Sequence, residues 1–405
     1  MPEKIKKYFI PSFMILYSLT AISWIFIRII FSTHELFGKY IYPNRLINYR
    51  AGFIRRGLGG EIIFWLSNIS SLSLVSVIDL TSAIIWIILV IFFLHKFIQK
   101  KYPLFILALP FFLGETILID ESYFLRHDSL IMLIFISMVY IVSKREFSIK
   151  LSFLLTNLLF VFGILFHEAV FFISFPILFL TIQHKTASWA KSFLFLLPSL
   201  IVFILCFLLP EQSTVTEMLK LSPEINPRYI VCFLSFTQNL SLQWQKISET
   251  SAFFTLSYLC VWVAAVYFVC INFPKLRFNL YQPTTSSGNT NFLSKILLIQ
   301  ICSVFPLFCC VLDWGRWIFL WVASSFAYFL LVEKDSFNEI PILSKLNIAQ
   351  SRLMNISPLI VFLIAILVSC PFGLPLKLNM DDSALFIIIN TFKETFNVIA
   401  NSRLF

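Results

Sequence analysis

Long apolar runs separated by short polar connections recur along almost the whole chain. A helical membrane crossing needs roughly 17–25 mostly apolar residues. By that measure about eleven runs qualify, at roughly 8–31, 80–98, 103–119, 129–143, 151–166, 169–183, 192–209, 251–272, 294–312, 317–332 and 356–376. The pattern predicts an all-α, polytopic integral membrane protein forming one membrane domain over 1–405. Only His167 and Glu168 separate the fifth and sixth runs, which predicts a tight helical hairpin. The serine-rich, amphipathic segment 62–78 suits a helix lying in the interface, and the run 385–399 is similar, giving one or two interfacial helices.

Charge sets an expected orientation. Connections carrying Lys96, Lys100, Lys101, Lys144, Arg145, Lys150, Lys185, Lys191, Lys275, Arg277, Lys295, Lys334, Lys345 and Arg352 fall on the side of the N-terminus, which the positive-inside rule makes cytoplasmic. The other face carries Arg45, Arg50, Arg55, Arg56, Arg126, Arg228, Arg316 and Arg403 and most of the acids. Topology needs only charge, whereas paired contacts to an anion favour arginine. Outer segments follow at 32–79, 210–250 (a candidate lid) and 377–405, and 282–291 (QPTTSSGNTN) reads as a flexible inner connector.

Composition agrees with this picture. Of 405 residues 59% are hydrophobic and 13% charged, and mean hydropathy is +0.88, where a soluble domain has roughly 25% charged residues. The net charge of +10 does not point to nucleic acid, because the cations sit between apolar spans. The basic N-terminus precedes an apolar run too long for a signal peptide, so it reads as a retained first span. Most of the eight cysteines lie in or beside apolar runs without C-x-x-C or Cys/His spacing, so no disulfide framework or metal site is expected.

Four motifs meet on the outer face in this topology. Asn48 to Glu61 (NYRAGFIRRGLGGE) places Arg50, Arg55 and Arg56 among Gly52, Gly57, Gly59 and Gly60, beside Glu61. Guanidinium forks match phosphate oxygens in pairs, and glycines let backbone amides approach the same anion. FLRHDS sets Arg126, His127 and Asp128 at the start of a span, next to Asp120 and Glu121; LFHEAVFF sets His167 and Glu168 in a turn; DWGRW sets Asp313, Trp314 and Arg316 between two spans. Plainer readings stand beside these. Arg126 with Asp128 and Asp313 with Arg316 also fit local ion pairs tying helix ends, Trp314 and Trp317 fit an interfacial aromatic belt better than sugar platforms, and Arg28 fits a snorkelling cation. An imidazole beside an acid between apolar spans is costly near lipid and favours a functional role for His167 and Glu168.

Arginines, a His/Glu pair and carboxylates at one membrane face suit sugar transfer from a polyprenyl-phosphate or polyprenyl-diphosphate carrier. Arg50, Arg55, Arg56, Arg126 and Arg316 would neutralise the departing phosphate. One of His167, Glu168, Asp128 and Asp313 would take the acceptor's proton. The motifs RRGLGGE, FLRHD, LFHE and DWGRW in a multispan chain of this length resemble those of bacterial O-antigen polymerases and related proteins of surface-polysaccharide gene clusters. The resemblance implies polymerisation of undecaprenyl-diphosphate-linked repeat units at the periplasmic face of the inner membrane. Donor and acceptor would both be lipid-linked glycans, with membrane lipid and a chain-length regulator as partners and no cofactor. Such polymerases usually carry their arginines in large periplasmic loops, whereas here they are spread over short ones. Two alternatives remain. One is a glycosyltransferase using a polyprenyl-phosphate sugar, with Glu35 or Glu61 as base or metal ligand. The other is a transporter of lipid-linked glycan, for which repeated halves and acids deep in the spans would be expected.

Overall fold

A computed structural model describes residues 41–100, 102, 104–109, 111–113, 125–144, 146–209, 217, 220, 241, 244–245, 252–273, 287–310, 314–332, 360–361 and 363–365. Glu35, Asp120, Glu121 and Asp313, the first run at 8–31 and the C-terminal run at 385–399 lie outside these residues. The described residues are helical, with no strand: α1 (Ile41–Arg45), α2 (Gly57–Ser70), α3 (Leu74–Lys100), a 3-10 turn (Leu104–Ala108), α4 (Asp128–Ser143), α5 (Ile149–Phe166), α6 (Ala169–Thr186), α7 (Trp189–Leu208), α8 (Ala252–Asn272), α9 (Ser287–Cys310) and α10 (Trp314–Leu331).

Among the described residues, six helices are long and apolar enough to cross a membrane: α3, α5, α6, α7, the Phe292–Cys309 part of α9, and α10. The protein is therefore a multi-pass membrane protein. α4 lies at the centre of the bundle, packed on α3, α5, α6 and α10, and α10 in turn packs on α9. A smaller cluster around Tyr42, Ile47, Phe64, Ile78 and Trp86 joins α1 and α2 to α3.

Apolar area alone does not hold helices together in lipid, so close approach and interhelical hydrogen bonds carry much of the association. Pro176 in α6 has no N–H to give the Phe172 carbonyl. Ser303 of α9 donates to that carbonyl instead, and Gln300 donates to the neighbouring Ile173 carbonyl at 3.0 Å. Pro198 in α7 likewise has no N–H to give the Leu194 carbonyl, and Asn157 of α5 ties into that stretch, donating to the Phe195 carbonyl at 2.8 Å and accepting from Ser199 at 2.8 Å. Trp321 of α10 donates to the Leu297 carbonyl of α9 at 2.7 Å.

Three sequence expectations are corrected. The interfacial helix at 62–78 is two helices. Ser71, in the left-handed region at φ 57°, ends α2, and the Ser73 hydroxyl accepts the Ser76 amide at 3.1 Å at the start of α3. Serines that bond nearby backbone groups favour caps over helix interiors, so this stretch marks a break. In the expected span at 103–119, the described part is a short 3-10 turn followed by a non-helical turn at 111–113, and so is not a continuous α-helix. The inner connector is shorter than expected, because α9 already begins at Ser287.

Candidate functional site

One end of the bundle collects the start of α2, the starts of α4 and α10, and the turn joining α5 to α6. Arg56, just before α2, adopts φ 63°, a left-handed conformation that costs a residue with a side chain about 1–2 kcal/mol. Its side chain grips Glu168 as a fork: Nε donates to Oε2 at 2.8 Å, and Nη2 donates to Oε1. Glu168 immediately precedes α6 and is 12% exposed at its side chain. Burial pushes its carboxyl up, but the Arg56 charge and hydrogen bond, with His167 and Arg55, outweigh this and hold it well below the usual carboxylate range.

Arg316, in the first turn of α10, joins two more elements. Its Nε donates to Asp128 Oδ1 at 2.6 Å, and Nη2 lies 3.0 Å from His167 Nε2. Asp128 opens α4, where an acid also complements the helix dipole. The second nitrogen of His167 faces a donor as well, with the Ala169 amide 3.2 Å from Nδ1, and Glu168 Oε2 lies 3.7 Å from the same atom. A neutral imidazole has one accepting nitrogen, so the Arg316 and Ala169 donors compete and the ring proton is poised between two positions. Burial, then the Arg56 charge, holds His167 well below its ordinary value even with Glu168 acting in the opposite sense, so the ring is neutral at pH 7.

A second histidine lies behind the first. The ring centroids of His127 and His167 are 5.9 Å apart. His127 Nδ1 lies 3.3 Å from Arg45 Nη1, and burial followed by the Arg45 charge holds this ring neutral too. Arg45, at the end of α1, is only 2% exposed. It also contacts the Ser82 hydroxyl at 3.4 Å and the Phe166 ring at 6.0 Å, so among the described residues none of its partners is an acid. Burial lowers it to about 10, which leaves a full cation at neutral pH.

The glycines serve packing here more than anion contact. A side chain on Gly60 would overlap the Ile47 carbonyl, to which the Gly60 amide already donates at 2.9 Å. One on Gly57 would overlap the Tyr49 ring, and one on Gly59 would press on Phe166 and His127. The first turn of α2 is thus bound to the residues preceding it, with the Gly57 and Gly60 amides donating to the Ile54 and Ile47 carbonyls.

No family model, curated protein or solved structure matches the chain. Geometry is therefore the guide to which predicted residues belong together. Arg56, His127, Asp128, His167, Glu168 and Arg316 form one contiguous cluster. Arg55 lies 5.4 Å from the Phe207 ring, and its field reaches His167 and Glu168. Arg126 is partly buried in the turn before α4. Arg50 is exposed and stacks 3.8 Å from the Phe64 ring, and Glu61 accepts the Tyr49 amide at 2.7 Å, tying the loop to α2. Trp314 and Trp317 are buried, not belt residues; Trp314 donates to the Phe308 carbonyl at 3.2 Å, and Arg316 lies 4.9 Å from the Trp317 ring. Among the described residues, no three His, Cys, Asp or Glu side chains group as metal ligands would. Arg45 and Ser82 were missed as candidates, because Arg45 meets His127 across 82 residues of chain and Ser82 accepts from Arg45 across 37.

Proposed function

We propose that the protein is a polytopic glycosyltransferase of the O-antigen polymerase type, joining polyprenyl-diphosphate-linked oligosaccharide units. In this reading the chain makes about ten crossings, the eleven apolar runs less the broken one at 103–119. Its N-terminus is cytoplasmic and the arginine-rich end of the bundle faces the periplasm of a bacterial inner membrane. The observation that supports the reading is the excess of guanidinium over carboxylate at that end among the described residues. Arg56 is matched by Glu168 and Arg316 by Asp128, while among the described residues the buried Arg45 meets a histidine, a serine and a ring. A site left cationic at the edge of a lipid-facing bundle suits a substrate bearing its negative charge at a headgroup.

In the proposed reaction, the acceptor hydroxyl attacks the anomeric carbon of the donor sugar as the bond to the diphosphate oxygen breaks. The bonding pair leaves with the diphosphate, which Arg55, Arg56 and Arg316 receive. The hydroxyl proton goes to His167 Nε2. In the resting arrangement Arg316 covers that nitrogen, so a phosphate drawing Arg316 to itself would uncover the base as it binds. The imidazolium formed would lie beside the Glu168 carboxylate.

The test is complementation of a deletion strain with Arg56→Ala, Arg316→Ala or His167→Ala, reading chain length on silver-stained gels and protein level in the membrane. Loss of long-chain polysaccharide with the protein retained is the expected result. Normal ladders from both arginine variants would end the diphosphate reading, and a normal ladder from His167→Ala would move the base to Glu168 or Asp128.

A further inference from the structure

The far end of the same bundle holds a cavity of about 790 Å³, between the end of α4, the start of α5, the end of α6 and the end of α10. Its lining residue Ser152 is 15 positions before His167 on α5, about 22 Å away at 1.5 Å per residue. The cavity is therefore separate from the arginine and histidine cluster. On its floor the Thr181 and Tyr328 hydroxyls, both buried, lie 2.9 Å apart. At its rim are Lys144, Lys185, His184 and Glu146. Lys185 donates to the Lys144 carbonyl at 3.1 Å, and the Lys144 ammonium lies 5.5 Å from the Tyr140 ring. The remaining wall is apolar, including Ile182 and Phe195.

We infer that this cavity binds a phosphate-bearing anion, as a second site at the opposite end of the bundle from the first. Lysines in a connecting loop satisfy membrane topology wherever they point. Topology does not call for an opening of this size, within the 300–1,000 Å³ of small-ligand sites. The ammonium groups at the rim offer donors to phosphate oxygens, while the hydroxyl protons beneath them are already placed, Thr181 donating to the Ile177 carbonyl at 2.7 Å and Tyr328 to Thr181. The apolar wall matches the glycerol and upper acyl carbons of a phospholipid. A free phosphate offers the same anionic chemistry without the tail.

Native mass spectrometry of the full chain in detergent, titrated with phosphatidylglycerol or phosphatidylcholine, tests this. The wild type should retain one phosphatidylglycerol in preference to phosphatidylcholine. The Lys144→Ala, Lys185→Ala double variant should weaken that binding by at least about tenfold, as loss of charge-assisted contacts implies. Lys150→Ala removes a nearby cation that does not line the cavity and should leave binding unchanged. Displacement of the lipid by millimolar inorganic phosphate would assign the site to a soluble anion, and its failure to displace would assign it to the headgroup; either result supports the site. Should the double variant not stay monodisperse, Lys185→Gln alone provides the test, with binding expected to weaken severalfold. Equal retention of the two lipids, equal weakening by Lys150→Ala, unchanged binding in the double variant or in its Lys185→Gln substitute, or loss on Arg56→Ala instead would overturn the proposal.

Discussion

The two buried histidines should make the protein acid-sensitive well above the carboxylate range. His127 and His167 are 6% and 2% exposed, and burial with neighbouring arginines holds both below 6.5 in the fold. Once unfolded and hydrated, each takes up a proton at about 6.5. A group whose folded pKa is depressed in this way leaves the unfolded state binding more protons, so stability falls as pH drops below 6.5. Each ring contributes a slope approaching about 1.4 kcal/mol per pH unit, and between pH 7.5 and 5.5 the pair together removes up to about 2.7 kcal/mol. Glu168 is also depressed, but its contribution is lost only as pH falls below about 4.5, outside this window. The assay is the thermal unfolding midpoint of the detergent-solubilised chain across that range, followed by tryptophan fluorescence. His127→Gln and His167→Gln should each remove about half of the pH dependence, and the double variant nearly all of it. A wild-type midpoint unchanged between pH 7.5 and 5.5, or a double variant with the full drop, would refute the assignment of neutral buried rings.

Other consequences can be checked in the same preparation. Arg316→Ala strands the Asp128 carboxylate, 3% exposed, and should cost about 3–5 kcal/mol; adding Asp128→Asn should recover much of that loss in thermal melts. Arg56→Lys keeps the charge but not the fork, and should weaken coupling to Glu168 in a double-mutant cycle with Glu168→Gln, whereas equal coupling from lysine would show that charge alone matters. Gly60→Ala drives a methyl group into the Ile47 carbonyl and should sharply lower monodisperse yield on size exclusion. Gly59→Ala meets Phe166 and His127 only at 3.2–3.3 Å and should cost no more than about 1–3 kcal/mol.

Apolar run length located α5, α6, α7 and α10 to within a few residues, because each crosses the bundle with few polar interruptions. The tight turn at His167 and Glu168 was legible for the same reason. Runs containing proline or serine clusters were misread. Average hydropathy registers neither the turns at 104–108 and 111–113 nor the caps made by Ser71 and Ser73. The site was legible as types of residue on one face, but its pairing was not. Arg316 could equally have paired within DWGRW, yet in the fold it bonds to Asp128, 188 residues earlier. Arg45 was legible as one of the outer-face arginines but not as a buried one, since its burial depends on the packing of α1 against α2 and α3.

α10 combines the lowest hydropathy among the candidate spans, 1.2, with the deepest burial, 89% of its window, whereas α7 has 2.4 and 28%. A segment so weakly apolar has little reason to partition into lipid by itself. It becomes stable there once α4 and α9 surround it and Asp128 meets Arg316. Biogenesis of the bundle is thus expected to be sequential, with the strongly apolar helices entering the bilayer autonomously and α10 delivered into a slot they have prepared. The functional cluster would then be assembled last, as the step that closes the fold.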